Sequence, residues 1–410
     1  MNEISVSVIV VSRGRPDLLI RCLTGISQLR YRNFEVVVVA DSAGVSIVNN
    51  SAFRDKIKTS QFDEPNISIA RNVGLSLASG DVVAFIDDDA VPEPSWLSYL
   101  IRPFRDVKID AAGGFVRGRN GISFQSMATQ IDTLGYETSI DVAQDVTSHH
   151  HAGTGRAIKT PGTNAAFRLS TLRHIGGFDP AFAFYLDETD VNMRLAAQNR
   201  WTAIVPLAQV HHAFCGSDQR RNDRMPLSLF DVGASTVVFL RKHADPSTHK
   251  TRIEDLYNEQ KARLIRHMQI GKCEPRDVAL LMATLEKGVQ HGWRKEFAPQ
   301  PPLSKTEPEF QIFDAERSFS GHKLILSTRS SLKQNKEIAI QPAAKGHVVS
   351  IFRFNRSTQF HRAWFDARGF WVQHGGIYGK SERIDKSFRW TTAARRTEIE
   401  LQRIQRTRCP

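Results

Sequence analysis

The sequence predicts an α/β chain. A doubly wound, mostly parallel sheet fills the first half, a mainly helical segment follows, and a small C-terminal domain with strands ends it. Three observations carry this. Short β-branched runs alternate with segments of helical period up to about residue 110, as in folds with helices on both faces of a parallel sheet. One of those runs, residues 82–92 (VVAFIDDDAVP), passes from a buried-type strand straight into three aspartates. Beyond about residue 216 the alternation stops, and apolar anchors recur at helical spacing instead.

In chain order, residues 5–11 (SVSVIVV) read as the first strand. Ser12-Arg13-Gly14-Arg15 is a loop, and Pro16 opens a helix carrying Leu19, Cys22, Leu23 and Ile26. Residues 34–40 (FEVVVVA) form a second strand, ending on Asp41. A short helix and a strand near 57–62 follow, then a helix over 66–78 started by Asn66 or Ser68 and stopped by Gly80. The strand into Asp87-Asp88-Asp89 comes next, then a helix opened by Pro92 and Pro94, and a strand at 111–116. Residues 118–160 are polar, glycine-containing and weakly periodic and read as a mobile loop; a metal role for His149-His150-His151 within them is disfavoured, because adjacent positions point different ways on any regular element. Residues 184–200 begin acidic and become a helix. Residues 201–210 are a strand broken at Pro206 and ending at His211-His212. Domain bounds follow: 1–215 (halves 1–110 and 111–215), a helical extension over 216–297, a proline-rich linker over 298–308, and a basic domain over 309–410. In the last, residues 323–326, 337–340, 348–354 and 363–372 look like strands.

Composition narrows the class. The 410 residues are 41% hydrophobic and 24% charged, ordinary for a globular protein. No run reaches the roughly 18 apolar residues of a membrane helix, and the start does not read as a signal peptide. Cys22, Cys215, Cys273 and Cys409 are too scattered for a metal motif and suit reduced thiols, so the expectation is cytoplasmic. The net charge is +12, and residues 301–410 hold 20 Lys and Arg against 10 Asp and Glu. That imbalance fits an anionic membrane face, an acidic substrate or nucleic acid.

Three carboxylates at the end of a buried strand repel one another and are costly to bury unpaired. A hard divalent cation, Mn²⁺ or Mg²⁺, removes both difficulties by taking oxygen ligands and bridging to phosphate. The position is also where ligands of open α/β sheets sit. Capping by acidic residues at a helix start is the plainer explanation for Asp187, Glu188 and Asp190 taken alone.

Several ordered motifs together resemble an inverting glycosyltransferase of family 2, with the GT-A fold, over about residues 4–213. They are the opening strand and helix, ISIARNVGLSLASGDVVAFIDDDAVP (67–92), GTNAAFRLSTLRHIGGFDPAF (162–182), LDETDVNMRL (186–195) and VPLAQVHH (205–212). The resemblance implies a nucleotide-sugar donor, a glycan or lipid-linked acceptor, and a role in surface polysaccharide synthesis. It implies that Asp41 bonds the nucleobase, Arg71 lies near the nucleotide, and Asp87 and Asp89 are the outer carboxylates of a DxD motif. Asp89 would then bind metal directly, Asp87 would lie near the ribose or metal waters, and Asp88 could share the work. Gly162 and Asn164 would line the sugar or acceptor pocket, and His212 would be a third metal ligand, with His211 competing. The general base aligns with Glu188, Asp187 being the alternative because the usual glutamate-aspartate order is reversed. Asp190 reads as a helix partner of Arg194.

Gln198-Asn199-Arg200-Trp201 is similar to the Gln-x-x-Arg-Trp motif of processive synthases but one residue short, so single addition is expected. A peripheral contact of the basic C-terminal part with the inner membrane face is a further expectation. Two alternatives stand beside this. A nucleotidyltransferase making a nucleotide sugar is disfavoured by the single glycine of the first loop. A nucleic-acid binder would use the aromatic and basic residues between Arg353 and Phe365, which read better as a packed strand.

Overall fold

The structure, a computed structural model, describes residues 3–213, 216, 219–296, 300–304, 308–314 and 319–409. Its first part is the expected alternation. β1 (Val6–Ser12), α1 (Pro16–Ile26), β2 (Phe34–Ala40), α2 (Ser42–Asn49), β3 (Lys58–Gln61), α3 (Ile67–Leu77) and β4 (Val82–Asp87) follow one another. β3, β2, β1 and β4 lie parallel in that order. Asn66 caps α3 by accepting from Ile69 N at 3.1 Å. All seven residues of β2 are buried, which is why it reads as a continuous apolar run rather than an alternating one.

After β5 (Ala90–Pro92) and α4 (Trp96–Leu100), the sheet grows away from β3. β6 (Ile109–Arg117) joins through a strand that arrives later in the chain and runs antiparallel between β4 and β6. The segment read as a mobile loop instead forms short strands: β7 (Phe124–Ser126), β8 (Thr129–Asp132), β9 (Glu137–Ser139), β10 (Ser148–His151) and β11 (Arg156–Lys159). Pieces of three or four residues are too short to show a period, which is why the sequence pattern hid them. His149, His150 and His151 lie in β10, at the edge of the main sheet, away from any metal-type cluster among the described residues.

β12 (Ala165–Arg168) is the intervening antiparallel strand. It is followed by α5 (Leu169–His174), α6 (Asp187–Ala197) and β13 (Trp201–His212), which runs parallel to β6 and pairs antiparallel with β5 near its end. Pro206 does not break β13. It falls where the pairing with β6 shifts between Val205 and Gln209, so no ladder hydrogen bond is asked of it. Leu23, Trp96 and Leu97 pack one face of the sheet; Leu75, Phe85, Phe167 and Phe178 pack the other. Each such buried side chain contributes about 1.5–3 kcal/mol.

α7 (Phe230–His243), α8 (His249–Gln269) and α9 (Pro275–Arg294) form the helical extension. α7 and α9 approach closely because glycines face the contact: a Cβ on Gly288 would stand 2.0 Å from the Phe230 carbonyl oxygen. Of the segment expected to be a linker, residues 298, 299 and 305–307 lie outside the described residues. Its described part follows the sheet domain instead of spanning free space, with Leu303 N donating to Arg173 O at 2.9 Å. Phe313, just beyond it, packs against Phe34 at 5.4 Å between ring centroids.

The C-terminal part contains β14 (His322–Leu326), α10 (Leu332–Ala344), β15 (Val348–Asn355), β16 (Arg362–Asp366), β17 (Phe370–Gly376) and α11 (Ala393–Arg408). Two expectations are corrected. Residues 337–340 are helical, since the alternating Ile338 and Ile340 sit within a longer stretch of helix formers. Residues 363–372 are two strands, divided by a turn at Gly369 whose φ of 94° favours glycine. Phe365, in the stretch considered for nucleic acid, is buried against Trp371.

α11 returns to the first domain. Arg408 is 2% exposed and donates through Nε and Nη2, both at 2.8 Å, to the Glu93 carboxylate, itself 1% exposed. His211 adds a 2.6 Å bond to the same carboxylate, and the Arg408 guanidinium lies 3.8 Å over the Trp371 ring. Cys22, Cys273 and Cys409 are free thiols; Cys215 lies outside the described residues. Among the described residues, no helix is long and apolar enough to cross a membrane.

Candidate active site

The carboxyl ends of β1 and β4 lie side by side, with Val11 opposite Asp87. β4 ends at Asp87, and Asp88 and Asp89 form the turn into β5; that turn brings Asp89 beside Asp87 and sends Asp88 the other way. Asp89 Oδ1 is 3.0 Å from His212 Nε2, and Asp87 Oδ2 is 3.9 Å from the same nitrogen. One ligand atom from each of Asp87, Asp89 and His212 falls within 4.8 Å of the others. Two carboxylate oxygens and one imidazole nitrogen converging at this range fit a divalent cation of the Mn²⁺ or Mg²⁺ type. His211, the competing histidine, points to the opposite side. Burial pushes its pKa down to about 4, and as a neutral ring it bonds Glu93.

Asp88 does not join this cluster. It is fully buried and takes hydrogen bonds from Ser12 Oγ at 2.7 Å and Arg15 Nε at 3.1 Å, with Arg15 Nη2 2.6 Å from its other oxygen. Burial pushes its carboxyl up to about 7, against the opposing pull of Arg15. Arg15 also reaches within 3.6 Å of Asp89.

On the far wall, Tyr185 and Leu186 both adopt left-handed backbone, with φ of 74° and 66°. This turn, costly for non-glycine residues, presents the start of α6 to the cavity. Asp187 is buried and paired to Arg71, which also lies 3.8 Å from Asp87 and 3.4 Å from the Gly162 carbonyl. Burial raises the Asp187 carboxyl, Arg71 opposes this, and Glu188 adds to it. Glu188, one residue on, is only partly buried and lines the cavity with Asp87, Arg71, Gly162 and His212. That cavity has a volume of about 550 Å³. Asp190 turns into the scaffold, held by Arg194 at 2.8 Å, Lys242 at 2.7 Å and His243 at 2.9 Å.

Gly162 belongs in the cavity wall: a Cβ there would stand 3.0 Å from Arg71 Nη2. Asn164, expected to line the pocket, does not reach it. It is fully buried; its Oδ1 accepts from Trp96 Nε1 at 2.7 Å, and its Nδ2 donates to the carbonyls of Phe115 and Ala208. Its amide joins β6, β12 and β13, a task that a motif match cannot tell from ligand contact. Asp41 accepts from Gly44 N at 2.9 Å, capping α2, and from Gly14 N at 2.7 Å. It thus ties the first loop to the end of β2. A smaller cleft of about 140 Å³ opens nearby, walled by Val11, Arg13, Val39, Phe62 and Pro65.

Several residues were not singled out from the sequence. Arg15 could have been: a doubly wound sheet sets the loop after the first strand beside Asp87. Thr163, which accepts from Asp87 N at 3.4 Å, and the cavity-lining pair Lys159–Glu137 carry no local signal.

Residues 7–164 match the family model described as Glycosyl transferase family 2. The pre-mycofactocin glycosyltransferase of Mycobacterium tuberculosis is 24% identical over 215 residues, which cover 50% of this chain and 42% of that protein. The amylovoran biosynthesis glycosyltransferase AmsB of Erwinia amylovora is 31% identical over 97 residues, 22% of this chain and 32% of its own length. The chain therefore spans less than half the length of these two curated relatives. Among solved structures, the mannosyltransferase PcManGT from Pyrobaculum calidifontis, in complex with GDP-Man and Mn²⁺, aligns with a TM-score of 0.43. Its identity is 16% over 72% of this chain and 89% of that one.

Proposed function

Since the chain belongs, through residues 7–164, to glycosyl transferase family 2, we propose that it transfers one sugar, with inversion, from a nucleotide-sugar donor to a glycan or lipid-linked acceptor in surface polysaccharide synthesis. The observation that carries this reading is the convergence of Asp87, Asp89 and His212 on the cavity that Glu188 also lines.

Each part has a chemical task. The cleft beside Val39 and Phe62 suits a flat base, and Asp41 holds the loop at its edge in place. Asp89, Asp87 and His212 would hold a divalent cation, which supplies positive charge against the anion that develops on the leaving diphosphate. Glu188, which lines the cavity, would take the acceptor hydroxyl's proton. Asp187 is less suited to that, because Arg71 occupies it. Arg71 in turn bridges the two walls, touching Asp187 and Asp87 at once, and so fixes the donor side relative to the base.

The C-terminal part suits a peripheral contact with an anionic membrane. Ile384, Phe388 and Trp390 are 89%, 52% and 79% exposed and alternate with Arg383, Lys386 and Arg389. Aromatic side chains interleaved with basic ones favour the headgroup region. Salt-sensitive binding to anionic but not neutral liposomes is expected; indifference to both would remove this part of the reading.

The direct test is nucleoside diphosphate release from a panel of nucleotide sugars, with and without Mn²⁺. Metal-stimulated release from one donor establishes the reaction and names the donor. Release of pyrophosphate would point to a nucleotidyltransferase instead. If no nucleotide sugar bound with metal present, the transferase reading would be lost.

A further inference from the structure

The cavity that holds Glu188 has charges of two kinds. Near the carboxylates its cations are matched: Arg71 pairs with Asp187, and Lys159 with Glu137. Arg220 and Arg263 line the same cavity and are not matched by any carboxylate among the described residues. Arg263 reaches the Gln260 amide at 3.4 Å, a weak contact, and Arg220 Nε is buried with no described hydrogen-bond partner. Asp231, also on the wall, accepts from Gln219 instead.

These two arginines sit in a wider positive cluster. Burial and then the charge of Arg220 pull the Arg263 guanidinium down. Arg224 is pulled down by burial and then by Arg119, Arg220, Arg263 and Arg383. Five guanidinium groups are thus drawn together from the loop after β6, the segment before α7, α8 and the loop before α11. Such a cluster costs free energy unless an anion relieves it. Arg220 and Arg263 line the same cavity as Glu188, the proposed base, and so face the space where the acceptor would sit. Planar guanidinium forks match phosphate oxygens two at a time.

We propose that Arg220 and Arg263 form a binding subsite for a phosphate group carried by the acceptor. The word acceptor rests on the transferase reading above; the phosphate subsite does not. A phosphate on a soluble sugar and one on a lipid carrier offer the same chemistry, and different probes separate them.

The test is calorimetry on the full chain without metal, using inorganic pyrophosphate and farnesyl diphosphate as probes. Both are expected to bind wild type, weaken roughly tenfold for each arginine removed in Arg220→Gln and Arg263→Gln, and recover in part in the Arg→Lys variants. Farnesyl diphosphate binding more tightly than pyrophosphate would identify the lipid-borne source; equal binding would identify a soluble one. Asp89→Ala should leave this binding intact, while abolishing Mn²⁺-dependent binding of nucleoside diphosphate. Matching melting temperatures establish that the variants are folded, and the single Arg263→Gln serves if the pair is not. The proposal is overturned if neither probe binds, if binding ignores the arginines, or if the arginine variants lose nucleoside diphosphate as well. Failure of wild type to bind nucleoside diphosphate with Mn²⁺ would instead count against the transferase reading alone.

Discussion

Two acidic stretches, Asp87-Asp88-Asp89 and Asp187-Glu188-Thr189-Asp190, look alike in the sequence and are treated differently by the fold. Each sends one carboxylate into the scaffold and presents others to the cavity. Past the end of β4 a two-residue turn does the sorting, so Asp87 and Asp89 meet His212 while Asp88 turns to Ser12 and Arg15. At the start of α6 each residue turns by about 100°, so Glu188 and the Arg71-paired Asp187 line the cavity while Asp190 turns inward to its cations. The two scaffold carboxylates also differ. Asp190 has two cationic partners and a histidine, Asp88 chiefly one cation. Burial would raise Asp190, but His243, Arg194 and Lys242 outweigh it and hold the carboxyl well below its ordinary range. For Asp88 burial wins. A buried carboxylate is therefore not one kind of object; the number of matched cations decides whether it stabilises the fold.

Substitutions can break this contrast. Glu188→Gln should lower sugar transfer by about 10²–10⁴ while donor binding persists; Asp187→Asn reproducing that result with an intact fold would move the base to Asp187. Asp89→Ala should reduce metal-stimulated nucleoside diphosphate release by about 10²–10³. Asp190→Asn should leave the cavity intact but cost roughly 3–5 kcal/mol of stability, because Lys242 and Arg194 lose their shared partner; chemical denaturation would read this, and an unchanged midpoint would refute it. Asp88→Asn should cost least of all: at neutral pH the amide is expected to be no less stable than wild type, because burial already disfavours the carboxylate there, and a denaturation midpoint lowered as far as that of Asp190→Asn would refute it.

Acid separates the two kinds as well. The folded-state pKa of Asp190 lies below its unfolded value, so its contribution is present above the ordinary carboxylate range and lost as pH falls through and below it. Glu93 has the same sign: burial opposes, but Arg408 and His211 prevail. Asp88 has the reverse sign. Its folded value of about 7 exceeds the unfolded one, so its relative contribution is greatest in acid and is lost as pH rises to about 7. Stability of Asp190→Asn should accordingly converge on wild type in acid, whereas Asp88→Asn should converge there and gain on wild type as pH rises from the ordinary carboxylate range to about 7, with no further change above it.

Much of this site was legible because its spacing carries the chemistry. Asp87 and Asp89 stand out as the outer carboxylates where a buried strand ends, and the turn between β4 and β5 brings them together. Glu188 and His212 followed from ordered motifs. Asn164 stood in such a motif too, but its burial between three strands depends on Trp96, Phe115 and Ala208, none of which is near it in sequence. The role of Asp88 depended on Arg15, 73 residues earlier. Short strands between residues 124 and 159 left no period to detect, and α11 is too polar for its buried contacts to show as an apolar stripe.

The ion pair between Glu93 and Arg408 joins positions 315 residues apart. During synthesis, the segment carrying Asp87, Asp88, Asp89 and Glu93 emerges long before its guanidinium partner exists. Until α11 arrives, Glu93 and His211 must keep water where the finished protein has a dry contact. The seating of α11 behind the strand pair that holds His212 therefore cannot precede the synthesis of residue 408. A nascent chain stalled before residue 408 would carry every residue of the candidate active site and still lack the brace beneath it.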